Sequence, residues 1–470
     1  MPVIRTWQLT AGATALGAVL ATLAVTLAGP WEGGQRAAER QWAAARDGGA
    51  HEGRDAKPRA DAPAPAPSAP GVLTALGVRA ATATADDKAG PALLARELAP
   101  LLAAPGLGSL RTASVVDLTS GRALYGSGPA VAVTPASTVK IATAVAALHA
   151  LGPDHRIATT TSLAPGGRLT LVGGGDASLT SAGLGQLADR TAAALKGRKV
   201  SSVRLAYDAS RYRGPVSHPI GRNGNLAPVT ALMVDGGRVA AGPPPANGYA
   251  ERGQDPAGDA GRAFARLLSA RGIAVAGPAV AGRPPAGARP LAQVVSAPLS
   301  DLVERTLTRS DNDLAEALAR QTALASGEEA SFAGGERAVR KRLATLGLPL
   351  TGARFPDGSG LDRRARLSAG LLTGLLSRAA EPDRPGLRPV LTGLPIAGFT
   401  GTLSERHTGS APGAGVIRAK TGTLTGVNAL AGTVVAADGR LLGFAFLAGK
   451  TTDRDAAQKA LDALAAALAS

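Results

Sequence analysis

Pro135-Ala136-Ser137-Thr138-Val139-Lys140-Ile141-Ala142-Thr143-Ala144-Val145-Ala146-Ala147-Leu148 starts with a turn-forming proline and runs on as a helix that is apolar nearly all round. Such a helix belongs inside a domain rather than on its surface. Ser137 opens it, and Lys140, three residues on, lies one turn away on the same face. A serine hydroxyl is a poor nucleophile until a base takes its proton, and burial pushes a lysine toward the neutral form that can do so. The start of a helix also presents free backbone N–H groups where an oxyanion could form. Ser-x-x-Lys alone equally fits a solvated helix start. Lys140 is, however, the only lysine in the chain with a serine three positions before it.

Two further stretches extend this chemistry. Ser310-Asp311-Asn312 leads into the helical run Leu314-Ala315-Glu316-Ala317-Leu318, and by itself it could be no more than a helix cap. Lys420-Thr421-Gly422-Thr423 lies in a predicted strand, where a lysine can guard an edge and a glycine mark a bulge. Three such elements in this order are harder to dismiss than any one of them.

Outward from these motifs the pattern is mixed. Leucines at 93, 94, 98, 101 and 102 predict a helix over 91–104. Residues 113–118 and 122–125 read as a hairpin. Residues 416–424, 429–436 and 441–447 read as three strands, the last two joined by an Asp438-Gly439 turn. A helix over 454–468 closes the chain. Terminal helices around antiparallel strands predict a sheet to which both ends of the chain contribute. At the N-terminus no charged residue occurs from Gln8 to Gly29, a length suited to a membrane anchor or, if cleaved, a signal segment. Residues 30–90 lose apolar periodicity and are rich in Pro and Ala, as a tether is.

Composition removes other chemistries. The chain of 470 residues has no cysteine, which excludes disulfides, thiolate metal sites and cysteine nucleophiles. Its five histidines show no His-Glu-x-x-His spacing, no Gly-x-Ser-x-Gly elbow precedes an apolar helix, and neither a phosphate loop nor a dinucleotide fingerprint is present. No metal and no cofactor is expected. The net charge of +16 comes with only 3% aromatic residues and no dense basic stripe, so nucleic acid is not an expected partner; an anionic cell surface suits the charge equally well.

Ser-x-x-Lys, Ser-Asp-Asn and Lys-Thr-Gly together form the signature of penicillin-binding proteins and serine β-lactamases. The chain resembles the class C low-molecular-mass penicillin-binding proteins, the DacB-type D-alanyl-D-alanine carboxypeptidase/endopeptidases. Further matching stretches are 151–154, 175–179, 296–299, Asp357-Gly358-Ser359-Gly360-Leu361, 394–398 and 401–403. The resemblance implies an α+β, serine penicillin-recognising (β-lactamase/transpeptidase-like) fold, with an antiparallel sheet flanked by helices. The 173 positions from Ser137 to Ser310 leave room for an inserted accessory domain at 155–290, within a catalytic domain of 91–154 and 291–470. It also implies roles. Ser137 attacks the bond between two D-alanines of a peptidoglycan stem peptide, Lys140 takes its proton and Ser310 relays one to the leaving amine. Asn312 bonds the substrate amide, and Lys420, Thr421, Gly422 and Thr423 receive the terminal carboxylate and oxyanion. Arg363 meets the substrate side chain, although an ordinary surface arginine is the competing reading. Asp176 and Asp235 read as turn residues. β-Lactams are implied as covalent inhibitors, and the cell envelope, outside the cytoplasm, as the location. A serine β-lactamase and a catalytically idle wall-binding homologue are the alternatives; the Glu-x-x-Leu-Asn element that a class A β-lactamase needs does not occur here.

Overall fold

A computed structural model describes residues 89–221, 223–240, 249–407 and 411–470. The expected anchor at 1–29 and nearly all of the expected tether lie outside the described residues; among those described, no helix is long and apolar enough to cross a membrane.

Strands from near both ends of the described residues meet in one five-stranded antiparallel sheet. Helix α1 (Ala89–Leu102) leads into β1 (Leu110–Asp117) and β2 (Ala123–Ser127); a 3-10 turn at Ala136–Thr138 then runs straight into α2 (Val139–Leu151). Next come β3 (Ala158–Ala164), β4 (Arg168–Val172), α3 (Ser181–Gly197), β5 (Ser202–Asp208), α4 (Pro256–Ser269), β6 (Ala274–Val275), β7 (Val280–Ala281) and β8 (Arg289–Val295). Helices α5 (Leu299–Thr308), α6 (Asn312–Ala325), α7 (Phe332–Ala344), α8 (Ala369–Ala380) and the short α9 (Pro389–Thr392) come next. Strands β9 (Ile417–Leu424), β10 (Val427–Val435) and β11 (Leu441–Gly449) and helix α10 (Arg454–Ala466) complete the chain.

The order β2-β1-β11-β10-β9 puts a strand from the start of the described chain beside one from its end, as the sequence pattern predicts. The sheet's two faces differ in bulk. Phe444, Phe446, Leu430 and Val434 face α1 and α10, whereas Ala429, Ala431, Ala445 and Leu447 face α2 and α8. Small residues on that second face make room for α2, in which every residue from Val139 to Leu148 is buried. Continuous burial on both faces explains why β11 reads as an unbroken apolar run and β10 as one interrupted only by Asn428 and Thr433, rather than as alternating strands.

Residues 158–295 build a second, six-stranded mixed sheet, β6-β5-β4-β3-β8 with β7 also paired to β5. Its parallel pairs, β4 with β5 and β5 with both β6 and β7, need crossover connections, which α3 and α4 supply. The entering strand β3 and the leaving strand β8 are neighbours. Beyond them, Ser296 N donates to the Ile157 carbonyl at 2.9 Å and Leu299 N to that of His155 at 2.8 Å. This stretch therefore leaves and rejoins the rest of the chain at one place.

Candidate active site

Ser137 sits in the 3-10 turn, one step before the α-helix proper, with Ala136 at φ 47°. The sequence reading has Ser137 opening the helix; the tighter turn refines that, because with about three residues per turn the side chains at i and i+3 eclipse, which sets the serine over Lys140. Lys140 Nζ lies 2.9 Å from Ser137 Oγ, 2.7 Å from Asn312 Oδ1 and 2.7 Å from the Ser359 carbonyl. The lysine is completely buried. Burial lowers its pKa to about 8, against the opposing pull of the Asp357, Glu316, Asp311 and Asp313 carboxylates. A proton acceptor thus stands within hydrogen-bond reach of the serine, poised near neutral pH.

Asp311 caps α6 by accepting from Leu314 N at 3.0 Å, which fixes the neighbours on either side of it. Asn312, the first helical residue, uses both polar atoms: Oδ1 on Lys140 and Nδ2 on the Asn225 carbonyl at 2.9 Å. Ser310 is held at φ 54°, an unusual backbone for a non-glycine residue. Its half-buried hydroxyl has no hydrogen-bond partner among the described residues.

Strand β9 forms the outer edge of the five-stranded sheet. Ala419 N donates outward to the Pro395 carbonyl, and the Ile417 carbonyl accepts from Ala397 N. Peptide groups alternate along a strand, so those of Thr421 and Thr423 also face the open edge. Gly422 is required where β9 meets the serine turn: a Cβ there would lie 2.7 Å from the Pro135 carbonyl oxygen. Lys420 is completely buried and donates to its neighbour's Thr421 carbonyl at 3.0 Å. Burial, with the charge of Lys140 adding to it, lowers the Lys420 pKa well below that of an ordinary lysine. No carboxylate pairs with Lys420 among the described residues. An anion brought to this edge would supply the missing counter-charge. The Thr421 hydroxyl donates to Thr402 at 2.8 Å, and Thr423 Oγ1 accepts from Gln458 Nε2 at 3.5 Å. Arg363 is exposed and reaches the β9–β10 turn, donating to the Thr425 carbonyl at 2.9 Å. That turn borders a cleft of about 560 Å³ lined by residues 423–426, Asn428 and 451–455.

Five residues that carry the site's geometry had no role assigned from sequence. Ser359 supplies the carbonyl that meets Lys140, and two buried carboxylates hold its loop. Glu316 Oε1 accepts from Gly358 N and Ser359 N, while Asp357 accepts from Gly360 N, Asp362 N and Ser359 Oγ. His218 Nε2 bonds Asp357 at 3.0 Å, and Asn225 anchors Asn312. One signal was available: Asn312, Glu316 and Arg320 recur every four residues, a polar stripe along a helix that is otherwise core. Among the described residues, His218, Glu316 and Asp357 are close enough together to hold a cation. Asp357 Oδ2 already accepts three hydrogen bonds, from His218, Ser359 and Asp362, so the group is wired as a polar core and not as an open cation cage. Asp176 and Asp235 stay apart from the serine and serve turns, accepting from Ser178 and Ser181 respectively.

The three motifs therefore meet around Lys140, beside Ser137. Residues 94–251 and 246–469 match the model of the D-Ala-D-Ala carboxypeptidase 3 (S13) family. The chain belongs to that family. S13 membership makes it a serine-type D-Ala-D-Ala carboxypeptidase, a hydrolase with the serine penicillin-recognising fold. The chain is 38% identical over 388 residues to a carboxypeptidase of Mycobacterium tuberculosis, covering 78% of this chain and 82% of that protein. It is 37% identical over 391 residues to the carboxypeptidase DacB of Mycolicibacterium smegmatis, covering 78% and 81%. Its fold is similar to the crystal structure of penicillin binding protein 4 (dacB) from Haemophilus influenzae, with a TM-score of 0.66 and 23% identity over 80% of this chain and 97% of that one.

Proposed function

We propose that this S13 enzyme cleaves the D-Ala-D-Ala bond of peptidoglycan stem peptides by acyl transfer through Ser137, and that it also opens D-Ala cross-links where the cleft admits them. The observation that carries the assignment of roles is the 2.9 Å contact between Ser137 Oγ and a completely buried Lys140.

Ser137 Oγ attacks the carbonyl carbon while its proton passes to neutral Lys140 Nζ. Asn312 and the Ser359 carbonyl hold that amine in place, which makes Asn312 a positioning residue in the free enzyme. The oxyanion is received by the N–H groups of Ser137 and Thr423, since a helix start and the outward peptides of β9 can aim donors at one point. As the C–N bond breaks, the proton on Lys140 reaches the departing D-alanine amine by way of the unpartnered Ser310 hydroxyl. Water then attacks the acyl-enzyme, releasing the shortened peptide and restoring the Ser137 hydroxyl. Lys420 takes the terminal carboxylate with Thr421, Gly422 and Thr423 along the strand edge, and Arg363 faces an acidic group on the stem-peptide side chain. A β-lactam follows the acylation half of this path and stays on Ser137.

Residues 155–290 serve as an accessory domain inserted into the catalytic domain of 91–154 and 291–470. Action on a wall polymer puts the enzyme outside the cytoplasm, and the uncharged run from Gln8 to Gly29 suits the anchor or signal that such a location needs. Release of free D-alanine from a stem pentapeptide tests the reading. Lys140→Met should slow it by roughly 10²–10⁴-fold, the usual worth of a positioned base. Rapid turnover of a chromogenic cephalosporin without D-alanine release would instead favour the β-lactamase alternative.

A further inference from the structure

Between β5 and α4, the described residues 209–221, 223–240 and 249–255, largely without regular structure, reach α6 and the loop that follows α7. Three contacts dock them against α6. The Asn225 carbonyl accepts from Asn312 Nδ2, Ala227 N donates to Asp313 at 2.9 Å, and Arg252 pairs with Asp313 at 3.0 Å with both side chains buried. A fourth contact reaches the loop that carries Ser359. His218 is 4% exposed, and its Nδ1 accepts from Ile220 N at 3.2 Å. That backbone donor assigns the ring proton to Nε2, which therefore donates to Asp357.

We propose that His218 is a positioning residue for the acylation step: its Nε2–H bond to Asp357 braces the loop 357–362 so that the Ser359 carbonyl stays aimed at Lys140 Nζ. The proposal rests on the reading of Ser137 and Lys140 given above. It makes the inserted region a working part of the active site as well as an appendage to it.

The loop has little other freedom. Gly358 lies so close to α6 that a Cβ would come within 2.4 Å of the Ala315 carbonyl oxygen, and its own carbonyl accepts from Thr143 of α2 at 2.8 Å. Gly360 is at φ 81°, and a Cβ there would come within 2.1 Å of the Ala136 carbonyl oxygen. The loop is thus clamped between the helix bearing the base and the helix bearing Asn312, and the Asp357 carboxylate is the knot that ties its backbone. Among the described residues His218 is the donor to that carboxylate from outside the loop, held by Ile220 on one side and set edge-on to Phe332 at 5.4 Å, over whose ring the Arg320 guanidinium also lies. The charged groups bearing on the imidazole are Asp357, Glu316 and Asp362. Those bearing on Lys140 are Asp357, Glu316, Asp311 and Asp313, with Lys420 as its cationic neighbour. Asp357 belongs to both sets. Removing its donor leaves more of its negative charge to be felt by Lys140, which favours the charged lysine and disfavours the base.

The test compares His218→Phe, which keeps the bulk without the donor, with His218→Gln, whose side-chain amide can restore it. Acylation by a fluorescent penicillin is followed across pH under saturating and subsaturating conditions in the full chain. His218→Phe should lower the limiting acylation rate near neutral pH by on the order of 10–100-fold, the scale of a misplaced catalytic group. Pre-covalent affinity should change little, and the acid limb of the profile should move to higher pH. His218→Gln should recover most of the rate. Folded His218→Phe protein with the parent rate and pH limb would overturn the proposal; so would equal impairment in both variants. Should His218→Phe fail to fold, ¹⁵N-histidine spectra of the unsubstituted protein above pH 8 decide the matter. A proton on Nε2 with a bare Nδ1 is expected, and a proton on Nδ1 would overturn it. Loss of acylation in the unsubstituted protein would count against the Ser137 reading instead, so the two failures are distinguishable.

Discussion

Neutral Lys140 is the form that can accept a proton, and its environment sets the pH at which that form appears. Burial lowers the pKa to about 8 while four carboxylates resist. Below that pH the lysine is charged and cannot act as a base; above it the amine is free. The acylation rate should therefore rise with pH through an apparent pKa near 8, and a flat profile from pH 6 to 9 would contradict the assignment. Gly360 matters at the same scale. Its φ of 81° and the 2.1 Å approach to the Ala136 carbonyl oxygen leave no room for a methyl group. Gly360→Ala should cost roughly 1–3 kcal/mol of stability through backbone strain, read as a lower Tm, and should slow acylation by shifting the serine turn. At this scale the sequence is most informative, because Ser137 and Lys140, or Lys420 and Thr421, act through spacings of one to three residues that local geometry sets. His218 was not legible: it lies 139 positions from Asp357 in a stretch without periodicity.

Helix α6 shows how one element serves both fold and chemistry. Its N-cap, Asp311, accepts from Leu314 N and also from Arg305 of α5 at 2.9 Å, so one carboxylate starts the helix and ties it to its predecessor. The apparent rivalry in the sequence between a helix cap and a catalytic motif dissolves here, since Asp311 is the cap while its neighbour Asn312 bonds Lys140. Asp311→Ala should lower stability by about 1 kcal/mol, the usual worth of an N-cap. The acylation rate should fall as well, because Asn312 loses its fixed position; a stability loss with full activity would separate the two roles. The strands of the five-stranded sheet were legible from their apolar runs and turn residues. Those of the second sheet were not, because pieces as short as Ala274–Val275 and Val280–Ala281 sit among glycines and prolines and show no period.

Across the whole molecule, residues of the stretch that builds the second sheet, Asn225, Ala227 and Arg252, hold α6 from outside the three motifs. The buried pair between Arg252 and Asp313 is the strongest charged link in that arrangement. Arg252→Met should destabilise the protein by roughly 3–5 kcal/mol, since a buried carboxylate loses its partner. Asp313 has its pKa raised to about 7, chiefly by burial, with Asp311 adding to it. Below that pH it takes up a proton and the missing cation matters less, so the deficit in Tm should shrink as pH falls from 8 to 6. A deficit independent of pH would argue that packing alone is at stake. The spacing of two motifs left room for an insertion in the sequence reading, but nothing in it pointed to the Asn225 carbonyl meeting Asn312. The account as a whole stands on Ser137 as the acylated nucleophile, and the most direct measurement is the intact mass of the protein after exposure to penicillin. The account predicts one added penicillin per chain, located on the peptide carrying Ser137 and absent from folded Ser137→Ala; an unmodified parent protein, or an adduct that persists in Ser137→Ala, would contradict it.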